Sequence, residues 1–514
     1  MAFPSVTGVN GSEEACAKFI LNWVSRFEYF KRNPEDLFFT ALRDDLRGRH
    51  FVAALLRAKK TTKKTVILTG HFDVVDIDVY GALREWAFKP EEYTARLGTQ
   101  TLPEEARLDL ESGKYLFGRG VSDMKTGLAM AMCLFEDYVA LGDELDFNVL
   151  LLAVPDEEGD SYGMREAATF LTKLQVEQGL DLLTCIDLEP VFNNGSPSLY
   201  HGTIGMSTML FICVGRESHV GEYHRGLNST LVASYLNISL EGQQETRETY
   251  KDQTFPPLCC LHMRDKFDRY SVTLPERSVL YFNCLFVDKP PALIMEEMKV
   301  KAMAAMKSAL SHVGVDSLKP RVLTVKELID KAASRVGREK LFSELPPRGM
   351  DERDRNIEFI LRVLDVADEL GPFVVVGFVP PFYPPSINRS KSRQELAVRH
   401  AAAQVSENLK SRGFDFKEIE VFQGITDMSY TGFQGNVLEL DVLEDNMPLW
   451  KRGYDLPVAD LRTIDIPSVI FGPLGKDAHR FTERVEIDYS FNVLPNVLKD
   501  FISAIVRDPV NSET

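Results

Sequence analysis

The chain has 514 residues, 44% apolar and 26% charged, with 59 basic and 76 acidic side chains and a formal net charge of −17. This length predicts about three domains, or two large ones. The ordinary composition excludes a collagen-like or low-complexity chain, and the acidic balance argues against a nucleic-acid or anionic-membrane partner bound through bulk charge. The longest apolar runs, 147–155 and 373–382, are far shorter than the ~20 residues that span a bilayer. Residues 1–15 have neither a basic nor an apolar leader segment, and seven scattered cysteines form no CxxC. Together these features predict a cytoplasmic protein in a reducing compartment.

In chain order, Ser12 is expected to cap a helix whose apolar face is Ala15, Phe19, Ile20, Trp23 and Phe27. A short strand follows at 65–69, then a helix over 124–140 opened by the turn Gly118-Arg119-Gly120. Strands are predicted at 147–154 and 182–186, and again at 416–422 and 467–471. Continuous apolar strands alternating with helices imply an α/β layer with helices on both faces of the sheet. The middle of the chain differs. Strands at 209–214 and 278–286 alternate with helices at 226–240 and 292–313, the last with Met295, Met298, Ala302, Ala305, Met306, Ala309 and Val313 on one face as core filling. This predicts a smaller α+β domain inserted into the first. Two charged amphipathic helices occupy 323–371, the second burying Ile357, Ile360, Leu364 and Ala367. A strand over 373–379 is expected to stop at the run Pro380–Pro385. The expected boundaries are therefore 1–205 and 386–514 for the larger domain and 206–385 for the insertion.

The chemistry lies at the strand ends. The first strand is followed by Gly70-His71-Phe72-Asp73, and the next loop carries Asp123. The third strand leads into Pro155-Asp156-Glu157-Glu158-Gly159, the fourth into Asp187-Leu188-Glu189-Pro190, and the last into Gly472-Pro473-Leu474-Gly475 and His479. Taken singly, each has a bland explanation: a satisfied His71–Asp73 pair, Asp123 as a helix cap, Glu157-Glu158 on a solvated loop, His479 on the surface. Jointly, all follow strand ends, where open α/β sheets bind their ligands. Imidazoles and carboxylates suit zinc, cobalt or manganese. Two histidines and three carboxylates exceed the three protein ligands of one open catalytic zinc, and suit two metals bridged by one carboxylate.

The segments GHFDVV, GRGVSDMKTG and PDEEGD, the Glu-Pro after a strand and the late GPxGxxAH resemble the co-catalytic zinc metallopeptidases. That family includes aminoacylase, acetylornithine deacetylase, succinyl-diaminopimelate desuccinylase and glutamate carboxypeptidase; the longer wording is most similar to the arginine-utilisation protein RocB branch. The resemblance implies a zinc-peptidase-like catalytic domain with an inserted lid. It also implies that His71 and Glu189 hold one metal and Glu158 and His479 the other, that Asp123 bridges them, that Asp73 orients His71, and that Glu157 is the general base. The segment Gly215–Gly221 with Asn228 resembles the lid motif, in which His219 would help polarise the scissile carbonyl. Asn228, Asn283, Thr426 and Asp427 would line the substrate. A monomer or a homodimer joined through the lid would be expected.

Two positions depart from the desuccinylase-like pattern. Leu285 and Ser429 stand where those members carry arginine, whose planar fork pairs both oxygens of a substrate carboxylate. Arg216, Arg225, Arg277 and Arg480 are the nearby basic candidates to replace them. The expectation is a dinuclear hydrolase of an amide or peptide bond, acting on a small molecule or short peptide. The alternatives are an aminopeptidase or dipeptidase and a catalytically degenerate ligand-binding member of the fold.

Overall fold

The computed structural model of the chain describes residues 2–192, 195–266, 270–315 and 318–511. Two compact units emerge. The first comprises Met1–Thr203, Ser386–Gln434 and Pro457–Thr514; the second comprises Ile204–Pro385 and Gly435–Leu456. Among the described residues, no helix is long and apolar enough to cross a membrane.

In the first unit an eight-stranded mixed sheet runs Leu37–Ala41, His50–Leu56, Asn148–Val154, Lys64–His71, Asp181–Asp187, Ser468–Ile470, Ser198–Tyr200, Lys417–Ile419. The four strands from Asn148–Val154 to Ser468–Ile470 are mutually parallel. Their apolar runs, such as VLLLAV over 149–154, are buried throughout, as strands covered on both faces must be. On one face, Val66, Leu68, Val149 and Leu151 join a core built from the helices Ser12–Ser25, Lys125–Leu141, Arg393–Ser411 and Leu494–Arg507. The helix Tyr162–Gln178 also lies against the strands His50–Leu56 and Asn148–Val154.

In the second unit a five-stranded sheet runs Cys259–Asp265, Arg277–Phe286, Gly205–Val214, Phe373–Tyr383, Val322–Thr324. Helices Ser229–Leu240 and Pro291–Val313 pair with each other and with this sheet, and the methionine face from Met295 to Val313 is buried. Leu210, Ile212 and Val375 pack with Leu328, Ile329, Ile357 and Ile360 of the two charged helices, now seen as Val325–Val336 and Glu352–Ala367. Residues 435–456 return to this unit: Leu449 joins the same core, and the buried Arg355 donates to the Arg452 carbonyl (3.0 Å).

Three local expectations are corrected. Gly11, not Ser12, is the N-cap of the first helix; the Ser12 hydroxyl instead donates to the Val6 and Val9 carbonyls (both 2.8 Å). That helix buries Cys16, Ala17, Ile20 and Val24, while Phe19 is 44% exposed and rests on Phe3, so the inward face is rotated from the one that the large side chains marked. The strand expected to end at Val379 continues to Tyr383. It passes the prolines through a register shift between Val379 and Phe382, the kind of bulge that accommodates residues unable to donate to a ladder. The Tyr454 hydroxyl then donates to the Phe382 carbonyl (2.7 Å) and accepts its N–H (2.9 Å).

Candidate metal centre

The parallel register brings the chemistry together. His71 is the last paired residue of its strand, opposite Val154, and Thr69 lies opposite Asp187. Glu157 is thus three residues beyond one neighbouring strand and Glu189 two beyond the other. A three-stranded sheet of Gly475–Lys476, Arg484–Glu486 and Tyr115–Phe117 binds the segment before Asp123 to the segments around His479. Its closeness needs glycine at 475, where a Cβ would lie 1.9 Å from Ser122 Oγ.

His71 is buried, and its Nδ1 meets the Asp73 carbonyl at 3.0 Å, nearer than the Asp73 carboxylate at 3.5 Å. Its Nε2 faces Asp123 Oδ1 (3.1 Å), Glu189 Oε1 (3.1 Å) and Glu157 Oε2 (3.8 Å). The half-exposed His479 places Nε2 3.2 Å from Asp123 Oδ2 and 3.0 Å from Glu158 Oε2. Asp123 therefore turns one oxygen to each imidazole; it does not cap the following helix, whose N-cap is Met124 with no side-chain cap bond. Donor atoms of His71, Glu157 and Glu189 lie within 4.8 Å of one another, as do those of Asp123, Glu158 and His479. The two groups could each hold an ion.

The charge balance fits that use. Burial pushes Glu157 well above the usual carboxylate range and Glu158 upward, the Asp123 charge adding to the second; burial and Asp123 raise Glu189 to about 7. Hydrogen bonds to His479 and His71 overcome the burial of Asp123 and hold it low. Bonds to Asp123 and Glu158 raise His479 to about 10, and although burial opposes it, the Glu189 charge and the Asp123 bond hold His71 well above its ordinary value. Four carboxylates thus crowd two imidazoles, and the group holds protons that it would give up to divalent cations, which would balance the charge of the ionised acids.

Further residues support the centre. The Asp73 carboxylate accepts the N–H groups of Glu157 and Glu158 (both 3.2 Å) and the Thr7 hydroxyl (2.6 Å), so it braces the acidic loop as much as the histidine. Arg49 pairs with Asp156 and with Asp45 at 3.0 Å. The sequence expectations give Thr7, Arg49, Arg119 and Glu483 no role in the site, because contacts across tens to hundreds of residues leave no local pattern. In the same unit Thr426 caps a short 3₁₀ turn through Met428 N–H (3.2 Å), Asp427 is buried and raised by that burial to about 7, and Ser429 is fully buried.

His219, Asn228 and Asn283 belong to the second unit. His219 Nδ1 accepts the Gly221 N–H (3.1 Å) on the surface. Asn228 caps the helix Ser229–Leu240 through Thr230 N–H (2.8 Å), and Asn283 Oδ1 accepts the Cys259 N–H (2.9 Å). Of the basic candidates, Arg225 pairs with Glu222 (3.0 Å) and Arg277 with Asp365 (2.7 Å), while Arg480 of the first unit lies 3.6 Å from Asp477.

Known proteins are similar to this chain over most of its length. Residues 67–440 match the model of Peptidase family M20/M25/M40. The chain is 33% identical to the uncharacterized protein YqjN of Bacillus subtilis (strain 168), over 98% of this chain and 94% of the other. It is 26% identical to Protein RocB of the same organism, over 96% and 92%. In fold it is similar to the dipeptidase Dug1p from Saccharomyces cerevisiae, with a TM-score of 0.54 and 14% identity over 99% of this chain and 94% of that one.

Proposed function

The chain belongs to Peptidase family M20/M25/M40 and is a metal-dependent hydrolase of amide or peptide bonds; we propose that His71 and Glu189 hold one divalent cation, Glu158 and His479 a second, and that Asp123 is shared between them. The observation that carries this reading is Asp123, whose two oxygens lie 3.1 and 3.2 Å from two different imidazoles. Nitrogen and oxygen donors suit zinc as the resident ion, with cobalt and manganese as substitutes. Two such cations, when bound, polarise a carbonyl and acidify water.

The protein's own groups supply the rest. Glu157 takes the proton of the attacking water and returns it to the leaving nitrogen; its loop is set for this by the Asp73 carboxylate under the Glu157 and Glu158 amides. Asp73 also receives Thr7, which ties the N-terminal segment to the same brace. His219, by its sequence motif, serves as an oxyanion donor. The substrate class is an N-acylated amino acid or short peptide in a cytoplasmic setting. With Leu285 and Ser429 in place of two carboxylate-binding arginines, and Arg225 and Arg277 paired to acids of their own unit, none of these four positions offers a second substrate carboxylate a free cation, and an unpaired carboxylate is costly to desolvate. Neutral or basic substrates are therefore preferred over doubly acidic ones.

The test combines elemental analysis with steady-state rates on matched acidic, neutral and basic substrates, N-acylated and free-amine. About two ions per chain are expected. Glu157→Gln should keep both ions and lose roughly two to four powers of ten in turnover. At most one ion in the fully loaded wild type, or near-normal turnover by Glu157→Gln, would overturn the reading, and a preference for the diacid would overturn the substrate class.

A further inference from the structure

Two residues outside the donor set cross between the loops that carry Asp123 and His479. Arg119 stands four residues before Asp123, and Glu483 four residues after His479. From the Asp123 loop, Arg119 donates Nη2 to the His479 carbonyl (3.1 Å) and Nη1 to Glu483 Oε2 (2.6 Å). From the His479 loop, Glu483 Oε1 accepts the N–H groups of Ser122 (3.0 Å) and Asp123 (3.2 Å). Each member of the ion pair thus grips the backbone of the donor residue on the opposite loop. Arg119 Nε also donates to the Asp76 carbonyl (3.2 Å), and both side chains are essentially without solvent contact.

The two donor groups differ in what else holds them. His71 ends a central strand and is buried, and Glu189 follows another such strand two residues on and is buried too. His479 has neither support: its side chain is 53% exposed, and its backbone is left-handed at φ 67°, a conformation unfavourable for a residue with a Cβ. Packing does not fix this residue, so its placement depends on backbone bonds such as the one from Arg119 to its carbonyl.

We propose that Arg119 and Glu483 are positioning residues that form a reciprocal clamp, setting the spacing of Asp123 and His479 and thereby the affinity for the cation held by Asp123, Glu158 and His479. The inference rests on the two-cation reading given above. Groups that orient metal ligands typically govern affinity by 10–100-fold. Here that effect falls mainly on the ion held with His479, because the other shares Asp123 but its His71–Glu189 group has its own strand and core support.

The experiment is a chelator-competition titration of the full chain with zinc alone, with thermal melting of the metal-free chain in parallel. The variants are Arg119→Lys, Glu483→Gln, Arg119→Met and the double variant Arg119→Met/Glu483→Leu. Lysine keeps the charge but cannot span both Glu483 and the His479 carbonyl; glutamine keeps the shape but weakens the grip on two amides and a guanidinium. Both conservative variants should bind the second ion at least tenfold more weakly, with a much smaller loss for the first. Replacing a buried ion pair by apolar residues spares the lone charge that a single truncation leaves. The double variant should therefore melt above Arg119→Met while still binding the second ion weakly. If Arg119→Met does not fold, the two conservative variants decide. Wild-type affinity for both ions in any of these variants, recovery of affinity together with stability in the double variant, or equal weakening of both ions would overturn the clamp. A wild type that binds fewer than two ions overturns the proposed function and the clamp with it; normal wild-type binding with unaffected variants overturns the clamp alone.

Discussion

Gly127 lies in the first turn of the helix Lys125–Leu141, buried against the segment that carries Glu189. A Cβ there would sit 1.9 Å from the Leu188 carbonyl oxygen, 2.9 Å from its carbon and 3.1 Å from Leu188 Cβ. Ordinary contact begins near 3.4 Å, so Gly127→Ala must drive helix and segment apart by roughly 1.5 Å. Two effects oppose each other. Alanine gains about 1 kcal/mol over glycine in helix propensity, whereas overpacking a filled core costs about 1–3 kcal/mol. The obstacle is backbone rather than a flexible side-chain end, which places the clash at the upper end and leaves a net destabilisation of about 2 kcal/mol. The displacement also acts on Glu189, one residue beyond Leu188 and 3.1 Å from His71 Nε2. Thermal melting of the metal-free chain should show the loss, and zinc titration should show weakened binding at the His71–Glu189 group. Gly98→Ala is the control, since its Cβ would meet only Leu110 Cδ2 at 3.9 Å. A melting temperature for Gly127→Ala equal to or above that of the control, with both ions bound normally, would refute the reasoning.

Tyr454→Phe removes a buried hydroxyl that serves both backbone groups of Phe382; about 1–3 kcal/mol of stability should be lost, read as a lower melting temperature, and an unchanged value would mean that the bulge is held elsewhere. Burial keeps the His201 imidazole below its ordinary pKa of 6.5 despite Glu418 at 3.3 Å. The unfolded chain then binds more protons below that pH, so stability should fall as pH drops through about 6.5. The melting temperature should fall less from pH 8 to 5.5 for His201→Gln than for the wild type, and equal falls would count against the assignment.

The central strands were legible because strands covered on both faces show as unbroken apolar runs, and the donor residues because they follow those runs directly. Local chemistry misled where two residues compete for one role. Ser12 reads as a cap, but Gly11 reaches the left-handed φ of 77° at that position without penalty, which frees Ser12 for the Val6 and Val9 carbonyls. Pro380–Pro381 reads as a stop, yet a tyrosine seventy residues later holds the chain in strand geometry beyond them. Large aromatics at 19, 23 and 27 marked the inward face only in part: Trp23 and Phe27 pack at the margin of the core and Phe19 is exposed, while the smaller Cys16, Ala17 and Val24 are buried in it. Arg119 and Glu483 were illegible for a different reason: each looks like a surface charge until the two loops are brought side by side.

The order in which the first unit's strands appear along the chain also bears on its birth at the ribosome. Asp187 and Ile470 are neighbours in the sheet yet are separated by the whole second unit and more. A nascent chain that has emerged only to residue 440 carries His71, Asp123, Glu157, Glu158 and Glu189 but neither the strand Ser468–Ile470 nor His479. Until then one side of the Asp181–Asp187 strand lacks its partner and the acids at its end lack one of their two imidazoles. Residues 204–385 can gather most of their own sheet first, since domains tend to fold as units during synthesis. The competent centre is thus among the last parts of the molecule to be completed, and an unfinished chain is an inert one.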